Sequence, residues 1–350
     1  MRSLIHSSNV AVRRLPPLKN WCSSIGLSWR RSLFAFAALF MLAACNDNFD
    51  PRAPLDSKIV VFSVLSTDRD MQFVTVQRNY MPNSFDPVSY SSDNSLNDAL
   101  VTLRESNRTY VLRDTVLARP DTSRFRFPIR TYYLTPFVPT RGKTYQLLVQ
   151  SPTMGQAWAT ITVPSLPKIT LKPDMVQILD RPDRYGNNVP IIYIIQLSNG
   201  TKGYLARLLL YYDVLKSSEW VEERAEIPIT SADSASFSLD IPIYPQMTAA
   251  PQTSQIGLIY RTGYYRGIIN RLNEKYKSTN LIFKWATLVV LQADQNLFDY
   301  YSSTHASQDP FSIRLDEPSV SGINGGLGMA GAYTLDSLVN ILPEKFWGNR

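Results

Sequence analysis

Hydrophobic and polar residues alternate at every second position over short stretches in the first half of the chain. The clearest case lies on either side of a turn at Met154 and Gly155. Its apolar positions are Tyr145, Leu147, Val149, Ala159, Ile161 and Val163, and its intervening positions include Trp158, Thr160 and Thr162. A period of two residues is typical of strands with one buried face. The pattern therefore predicts two strands with one face toward a core.

Further short runs rich in Val, Ile, Leu and Phe are separated by turn residues. They lie at residues 58–65, 71–78, 99–103 and 109–112, and Ser106-Asn107-Arg108 between the last two runs predicts a hairpin. About seven strands within about 110 residues, without a long helical pattern, are typical of a β-sandwich. The sequence therefore predicts an immunoglobulin-like or transthyretin-like β-sandwich over residues 58–165.

Pro164 and Pro167 interrupt this pattern, since proline cannot donate a hydrogen bond within a sheet. We place a domain boundary there, followed by a second β-rich domain over residues 168–350. Its strand-like runs are residues 191–197, 205–215, 220–227, 237–243 and 281–291. Two helices are predicted within it, at residues 264–276 and 294–305. Their apolar faces carry Tyr264, Ile268, Ile269, Leu272 and Tyr276 in the first helix and Leu297, Phe298 and Tyr301 in the second.

The N-terminal pattern is different, because Arg30 and Arg31 precede an apolar run from Leu33 to Ala44. A run of this length is too short to span a bilayer and fits the hydrophobic region of a secretory signal. It ends in Leu42-Ala43-Ala44-Cys45, which resembles the lipobox of bacterial lipoproteins. The resemblance implies a signal peptide over residues 1–44, cleavage between Ala44 and Cys45, and acylation of the Cys45 thiol. Residues 45–57 then form a lipidated tether, which anchors the protein to a membrane through its acyl chains.

The formal net charge of +7 comes mostly from the predicted signal peptide, residues 1–44. The leader holds six of the 36 basic residues and none of the 29 acidic ones, so the remaining chain is close to neutral. This distribution argues against a nucleic-acid partner, which requires a basic surface. Cys22 lies in the leader and Cys45 carries the lipid, so the mature chain is predicted to contain no disulfide.

Three groups of residues suggest chemistry but fit a structural role better. Residues 326–331 match G-x-G-x-x-G, but the surrounding pattern lacks a strand–helix–strand unit, so we predict a glycine-rich turn and no dinucleotide cofactor. Asp299, Ser302 and His305 share a helical stripe, but no oxyanion motif accompanies them. We therefore predict a polar helix end there. With one histidine outside the leader and no free thiol, we also predict no transition-metal site.

Other residues suggest a calcium site, a sugar or peptide site, and glycosylation sites. Residues 180–188 contain Asp180, Asp183, Asn187 and Asn188, which could bind Ca²⁺ weakly, but the interleaved arginines favour a plain surface loop. Tyrosine pairs at 132/133, 211/212, 264/265 and 300/301 could line a sugar or peptide site, and packing is the alternative. Thr115, Ser234 and Ser337 each follow an aspartate and precede an aliphatic residue. These triplets resemble O-glycosylation sites of exported Bacteroidota proteins.

The order of these motifs resembles a known family. The motifs are the lipobox, Phe49-Asp50-Pro51, Gly142-Lys143-Thr144-Tyr145, Val163-Pro164, Asp299-Tyr300-Tyr301, Glu317-Pro318 and the glycines at 325–328. Together they resemble a Bacteroidota outer-membrane lipoprotein family of unknown function, domain of unknown function 4249. Its members are often encoded beside TonB-dependent receptors. Asn324 follows Ile323 instead of preceding it, and Ala330 stands where the family commonly has an aromatic residue.

From these observations we expect a non-enzymatic lipoprotein of the bacterial outer membrane. The resemblance implies an accessory role in TonB-dependent uptake, with a small-molecule, peptide or glycan ligand or with the receptor itself as partner. An adhesive or structural surface protein is the alternative. An exported hydrolase stays open as well, because the two carboxylates of a glycosidase need no proximity in sequence.

Overall fold

A computed structural model describes residues 55–80, 92–120, 122–123, 127–171, 190–228, 247–277, 280–305 and 322–340. The lipobox, the tether up to residue 54, residues 180–188, Ser234 and Glu317-Pro318 lie outside these residues. Within them, no helix has the length and apolar character needed to cross a membrane.

The described chain is mainly β, as predicted. Its strands are β1 (Ile59–Ser66), β2 (Gln72–Arg78), β3 (Leu100–Glu105), β4 (Arg108–Val111), β5 (Arg113–Leu117), β6 (Ile129–Leu134), β7 (Thr144–Ser151), β8 (Gly155–Thr162), β9 (Lys168–Leu171), β10 (Pro190–Gln196), β11 (Gly203–Lys216), β12 (Glu219–Ile227), β13 (Thr248–Ala249), β14 (Gln255–Arg261), β15 (Leu281–Ala293) and β16 (Gly326–Asn340). Its helices are α1 (Thr262–Tyr276) and α2 (Gln295–His305), close to the two helices that the pattern predicts.

These strands form three sheets within the described residues. Sheet A has the order β12-β11-β15-β16-β1-β2-β6-β5, with β13 paired to β11. Sheet B has the order β4-β3-β7-β8, and sheet C has the order β14-β10-β9. At the centre of sheet A, β1 pairs with β16 in parallel, whereas its other pairs are antiparallel. The two ends of the described chain therefore meet in one sheet.

Two large hydrophobic cores lie along sheet A, and a smaller third cluster includes Leu297 of α2 and Met329 of β16. The N-terminal core lies between sheet B and the part of sheet A formed by β1, β2 and β6, and it includes Ala330 and Ala332 of β16. The C-terminal core lies between sheet C, helix α1 and strands β11, β12 and β15. Sheet A thus continues across the predicted domain boundary, which stays a prediction.

The buried side chain of Gln292 fastens the segment between β8 and β9 to the rest of the protein. Its amide nitrogen donates to the carbonyl oxygen of Ser165 at 2.7 Å. Its amide oxygen accepts from the backbone nitrogen of Ser198 and the hydroxyl of Thr201. The proline-containing segment thereby passes at a fixed position between the two cores.

The glycine cluster is a strand and not the predicted turn. Gly326 and Gly328 lie in β16, directly beside Ile59 and Val61 of β1. A Cβ at Gly328 would overlap the carbonyl oxygen of Val61, and the φ of Gly328 is +106°. The prediction was therefore wrong about the element, although Gly328 does combine a close backbone approach with a positive φ.

Candidate ligand-binding surface

The outer face of sheet B is exposed and almost uncharged. The alternation of its strands sends Val101, Leu147, Ala159 and similar residues into the N-terminal core and their neighbours outward. The outward residues are Leu100, Thr102, Arg104, Thr109, Val111, Thr144, Gln146, Leu148, Gln150, Gln156, Trp158, Thr160 and Thr162. Arg104 is the one charged residue among them.

Strand register arranges these side chains in rows. Leu148 is paired with Trp158, Gln150 with Gln156, and Gln146 with Thr160. Paired residues of adjacent strands are neighbours on one face, and rows two residues apart follow at about 7 Å. The Trp158 ring, which is 37% exposed, therefore lies between rows that carry amides and a hydroxyl.

A cleft of about 540 Å³ adjoins this face at the end of β3, β7 and β8. Its lining includes Leu100, Gln150 and Gln156 from the outer face, together with Asp98 and Ser151. The β7–β8 turn closes this end, and Gly155 adopts a φ of +83° there, which glycine tolerates without strain. The predicted turn at Met154 and Gly155 is confirmed and sets the register that pairs Gln150 with Gln156.

The carboxylate of Asp98 is held by hydroxyl groups at the edge of the cleft. The Thr153 hydroxyl donates to Asp98 Oδ2 at 2.9 Å, and the Ser151 hydroxyl lies 3.1 and 3.2 Å from the two oxygens. The Thr153 hydrogen bond, joined by that from Ser151, lowers the pKa of Asp98 below its usual value. Asp98 is therefore a charged acceptor at neutral pH.

A smaller groove of about 270 Å³ lies beside helix α2, on the face of sheet A that points away from the N-terminal core. Its lining includes the apolar side chains of Phe62, Met71, Phe73, Met329 and Tyr333, together with Arg69. The Phe62 ring meets Tyr300 of α2 edge-on, with the ring centroids 6.2 Å apart. Because that contact continues the packing of α2 on the sheet, we assign this groove a structural role.

Three carboxylates near the β11–β12 hairpin, those of Asp213, Glu222 and Glu223, are paired with cations or phenols. Lys284 contacts both Asp213 and Glu222, at 3.1 and 2.7 Å. Glu223 accepts hydrogen bonds from Tyr212 and Tyr276 and contacts Lys216. Burial raises the pKa of Tyr212 well above its usual value, with the Glu223 charge adding to the effect. These contacts give Asp213, Glu222 and Glu223 a structural role.

Of the catalytic candidates of helix α2, neither Asp299 nor Ser302 lines either concavity. Asp299 accepts a hydrogen bond from the Gln295 amide at 2.6 Å, and Ser302 is exposed. The side chain of His305 lies outside the described residues. Within the part of the chain that the structure describes, no three His, Cys, Asp or Glu residues are grouped so as to hold a metal ion.

The predicted glycosylation sites have different surroundings. Thr115 is half-buried on β5, the edge strand of sheet A, whereas Ser337 is exposed on β16. Modification at both stays a prediction. Of the tyrosine pairs, Tyr132, Tyr212 and Tyr265 are buried in the two cores, and their neighbours are half-buried, which agrees with the packing alternative.

The comparisons assign a family to this fold. Residues 47–338 match the family model described as a domain of unknown function, DUF4249. This chain belongs to the DUF4249 family. No curated protein matches the DUF4249 chain. Among solved structures, the C-terminal globular domain of an oligosaccharyltransferase from Pyrococcus abyssi matches at 10% identity, over 66% of this chain and 44% of that one, with a TM-score of 0.21. The DUF4249 chain thus spans less than half of that protein chain.

The alternation in β8 predicts Trp158 on the face opposite the core-facing residues, and the structure confirms that position. The sequence does not predict that Asp98, Gln150 and Gln156 belong to one site. The alternation of β7 and β8 and the turn between them carried the signal for the two glutamines. The approach of Asp98 to Ser151 depends on the position of the segment before β3, for which the sequence has no local signal.

Proposed function

We propose that this DUF4249 protein is a lipid-anchored, non-enzymatic binding protein of the bacterial outer membrane. The observation that carries the proposal is the exposed, nearly uncharged outer face of sheet B, which is continuous with a cleft. Ligand sites are concave and combine apolar side chains with a few placed polar groups. Leu100 and Trp158 supply the apolar part here, and Gln150, Gln156 and Asp98 supply the polar part.

The arrangement of carboxylates supports binding over hydrolysis. A glycosidase needs two carboxyl groups that face one substrate across roughly 5 to 10 Å. Asp98 is the one carboxylate among the described residues that line the cleft. Asp213, Glu222 and Glu223 near the β11–β12 hairpin contact Lys284 or Lys216. The cleft therefore has a polar anchor without a partner acid among its lining residues.

The proposed outer-membrane location of the protein rests on the lipobox and on the family resemblance. Acylated Cys45 holds the protein at the outer membrane, where a TonB-dependent receptor is the proposed partner for uptake. Cys45→Ala should release the chain into the soluble envelope fraction, since the acyl chains provide the anchor. Cys22→Ala is the matched control, because Cys22 lies in the leader, and its product should stay with membranes. Membrane association that survives Cys45→Ala would contradict the anchoring claim.

The partner claim has its own experiment. Purification of the acylated protein in mild detergent should recover a TonB-dependent receptor in stoichiometric amount, and deletion should reduce uptake. If deletion abolishes cell adhesion and leaves uptake intact, the adhesive alternative replaces the uptake role.

A further inference from the structure

The outward side chains around Trp158 retain unused hydrogen-bonding capacity. Within the described residues, the amides of Gln146, Gln150 and Gln156 have no hydrogen-bond partner in the protein. Each amide offers two donors and an acceptor. All three are exposed, and they lie in the two rows on either side of the Trp158 row. The surface thus presents an aromatic ring among amides that can both donate and accept.

The charges at this surface favour a neutral ligand. Arg104 is the one cation on the outer face, and its Nε donates to the carbonyl oxygen of Ser106 at 3.0 Å. Asp98 adds a negative charge at the cleft end of the face. Sites for phosphate and carboxylate ligands commonly combine several cations, arginine above all, and this face carries one. An anionic ligand would instead approach Asp98 with unfavourable repulsion.

The location of the surface on a sheet face favours a carbohydrate over an extended peptide. Peptides that bind sheets gain affinity from main-chain hydrogen bonds at an unpaired edge. Strand β7, which crosses the middle of this surface, is paired with β3 on one side and β8 on the other. Trp158 lies on the edge strand β8, and at Trp158 that edge is already occupied, because the Trp158 backbone N–H and carbonyl oxygen are hydrogen-bonded to the backbone of Asn324. Recognition here therefore falls to side chains. A pyranose ring can pack its apolar face on the Trp158 indole while its hydroxyls reach flanking amides.

We propose that the outer face of sheet B binds a neutral carbohydrate chain, with a sugar ring stacked on Trp158 and its hydroxyls bound by Gln150 and Gln156. The inference rests on the proposed function in one respect, that this face is the ligand surface. The polar rows run about 13 Å along the strands from Gln146 to Gln150, so the site accommodates more than one sugar ring.

Asp98 extends this site into the cleft. An ionised carboxylate accepts hydrogen bonds at about four lone-pair positions. The Ser151 and Thr153 hydroxyls fix its orientation without occupying all of them. Asp98 then accepts a hydrogen bond from a hydroxyl of the terminal sugar of the bound carbohydrate. This contact sets the direction in which the carbohydrate lies along the sheet.

Binding to immobilised polysaccharides tests the proposal directly. The full chain, purified in detergent, is applied to neutral probes (xyloglucan, galactomannan, dextran and laminarin) and to anionic probes (polygalacturonate and alginate). We expect retention by at least one neutral probe and none by the anionic probes. Trp158→Ala should weaken that binding by about tenfold or more, because aromatic anchors dominate binding energy. The double variant with Gln150→Ala and Gln156→Ala, which keeps Trp158, should also bind the neutral probe more weakly.

Trp220→Ala is the matched control, because Trp220 is 48% exposed but lies on β12 of sheet A. Its binding should equal that of the unaltered chain, and thermal melts should show that all variants are folded. Absence of binding to every neutral probe, preference for an anionic probe, or equal binding by Trp158→Ala and Trp220→Ala overturns the proposal. Because the readout needs neither the anchor nor the receptor, its failure is distinguishable from failure of the proposed function.

Discussion

At the scale of single residues, the buried hydroxyl of Tyr260 lowers the stability of the C-terminal core. Tyr260 is fully buried against Tyr193, and its hydroxyl has no hydrogen-bond partner among the described residues. Burial raises the pKa of the Tyr260 phenol far above its usual value. A buried polar group without a partner retains its desolvation cost. Tyr260→Phe should therefore raise the free energy of unfolding by about 1 kcal/mol in denaturant melts.

Tyr132 provides the matched control for this substitution. It is also buried, but its hydroxyl donates to the carbonyl oxygen of Leu96 at 2.9 Å. Tyr132→Phe leaves that acceptor unpaired and should lower the free energy of unfolding by about 1 kcal/mol. Equal losses in the two variants would contradict the assignment of Tyr260 as an unpaired group.

Asp294 is the residue whose ionisation links stability to pH. Its side chain caps helix α2 by accepting the backbone N–H of Leu297 at 3.0 Å, and burial raises its pKa to about 6. Between its usual pKa near 4 and pH 6, the folded state binds more protons than the unfolded state. This residue's contribution to stability therefore falls as pH rises through that window, by roughly 3 kcal/mol in total.

Asp294→Asn tests this linkage because asparagine caps helices about as well as aspartate. The variant should be more stable than the unaltered chain at pH 8 and should lose the fall in stability between pH 4 and 6. Asp299→Asn, on the same helix, should retain it. The measurement is the free energy of unfolding as a function of pH, and an unchanged slope in Asp294→Asn refutes the assignment.

At the scale of elements, the junction of β1 and β16 depends on one glycine. Gly328 has a positive φ, and a Cβ there would overlap the Val61 carbonyl oxygen. Gly328→Ala should lower the free energy of unfolding by about 3 kcal/mol or more, since backbone strain and overlap add. Gly257→Ala in β14 should be close to neutral, because no atom lies within 4 Å of its added Cβ. Similar melting temperatures for the two variants would contradict this account of the junction.

The elements differ in how far the sequence predicts them. Strand β11 is a long apolar run, and helix α1 has a clear 3.6-residue period, so both are predicted with ends within two residues. Strands β5 and β14 were missed, because no side chain of β5 is buried and because the apolar Ile259 stands at an exposed position of β14. Strand β16 was missed because its glycines are turn formers locally. Their strand conformation depends on pairing with β1, more than 250 residues away in sequence.

At the scale of the whole molecule, sheet A contains the first and last described strands and contributes residues to both large cores. Neither this pairing nor the placement of Asp98 beside Ser151 has a local sequence signal, since both depend on contacts between distant segments. The face that carries Trp158 does have one, because alternation within β8 and the turn at Gly155 set it locally. The sequence therefore predicts the ligand surface in part and its cleft not at all.

The central claim is that the outer face of sheet B is the ligand surface, and a crystal structure with a neutral oligosaccharide tests it most directly. We predict a sugar ring in van der Waals contact with the Trp158 indole and hydroxyls bonded to Gln150, Gln156 and Asp98. An oligosaccharide bound instead in the groove lined by Phe62 and Tyr333, with the Trp158 face bare, would contradict the account.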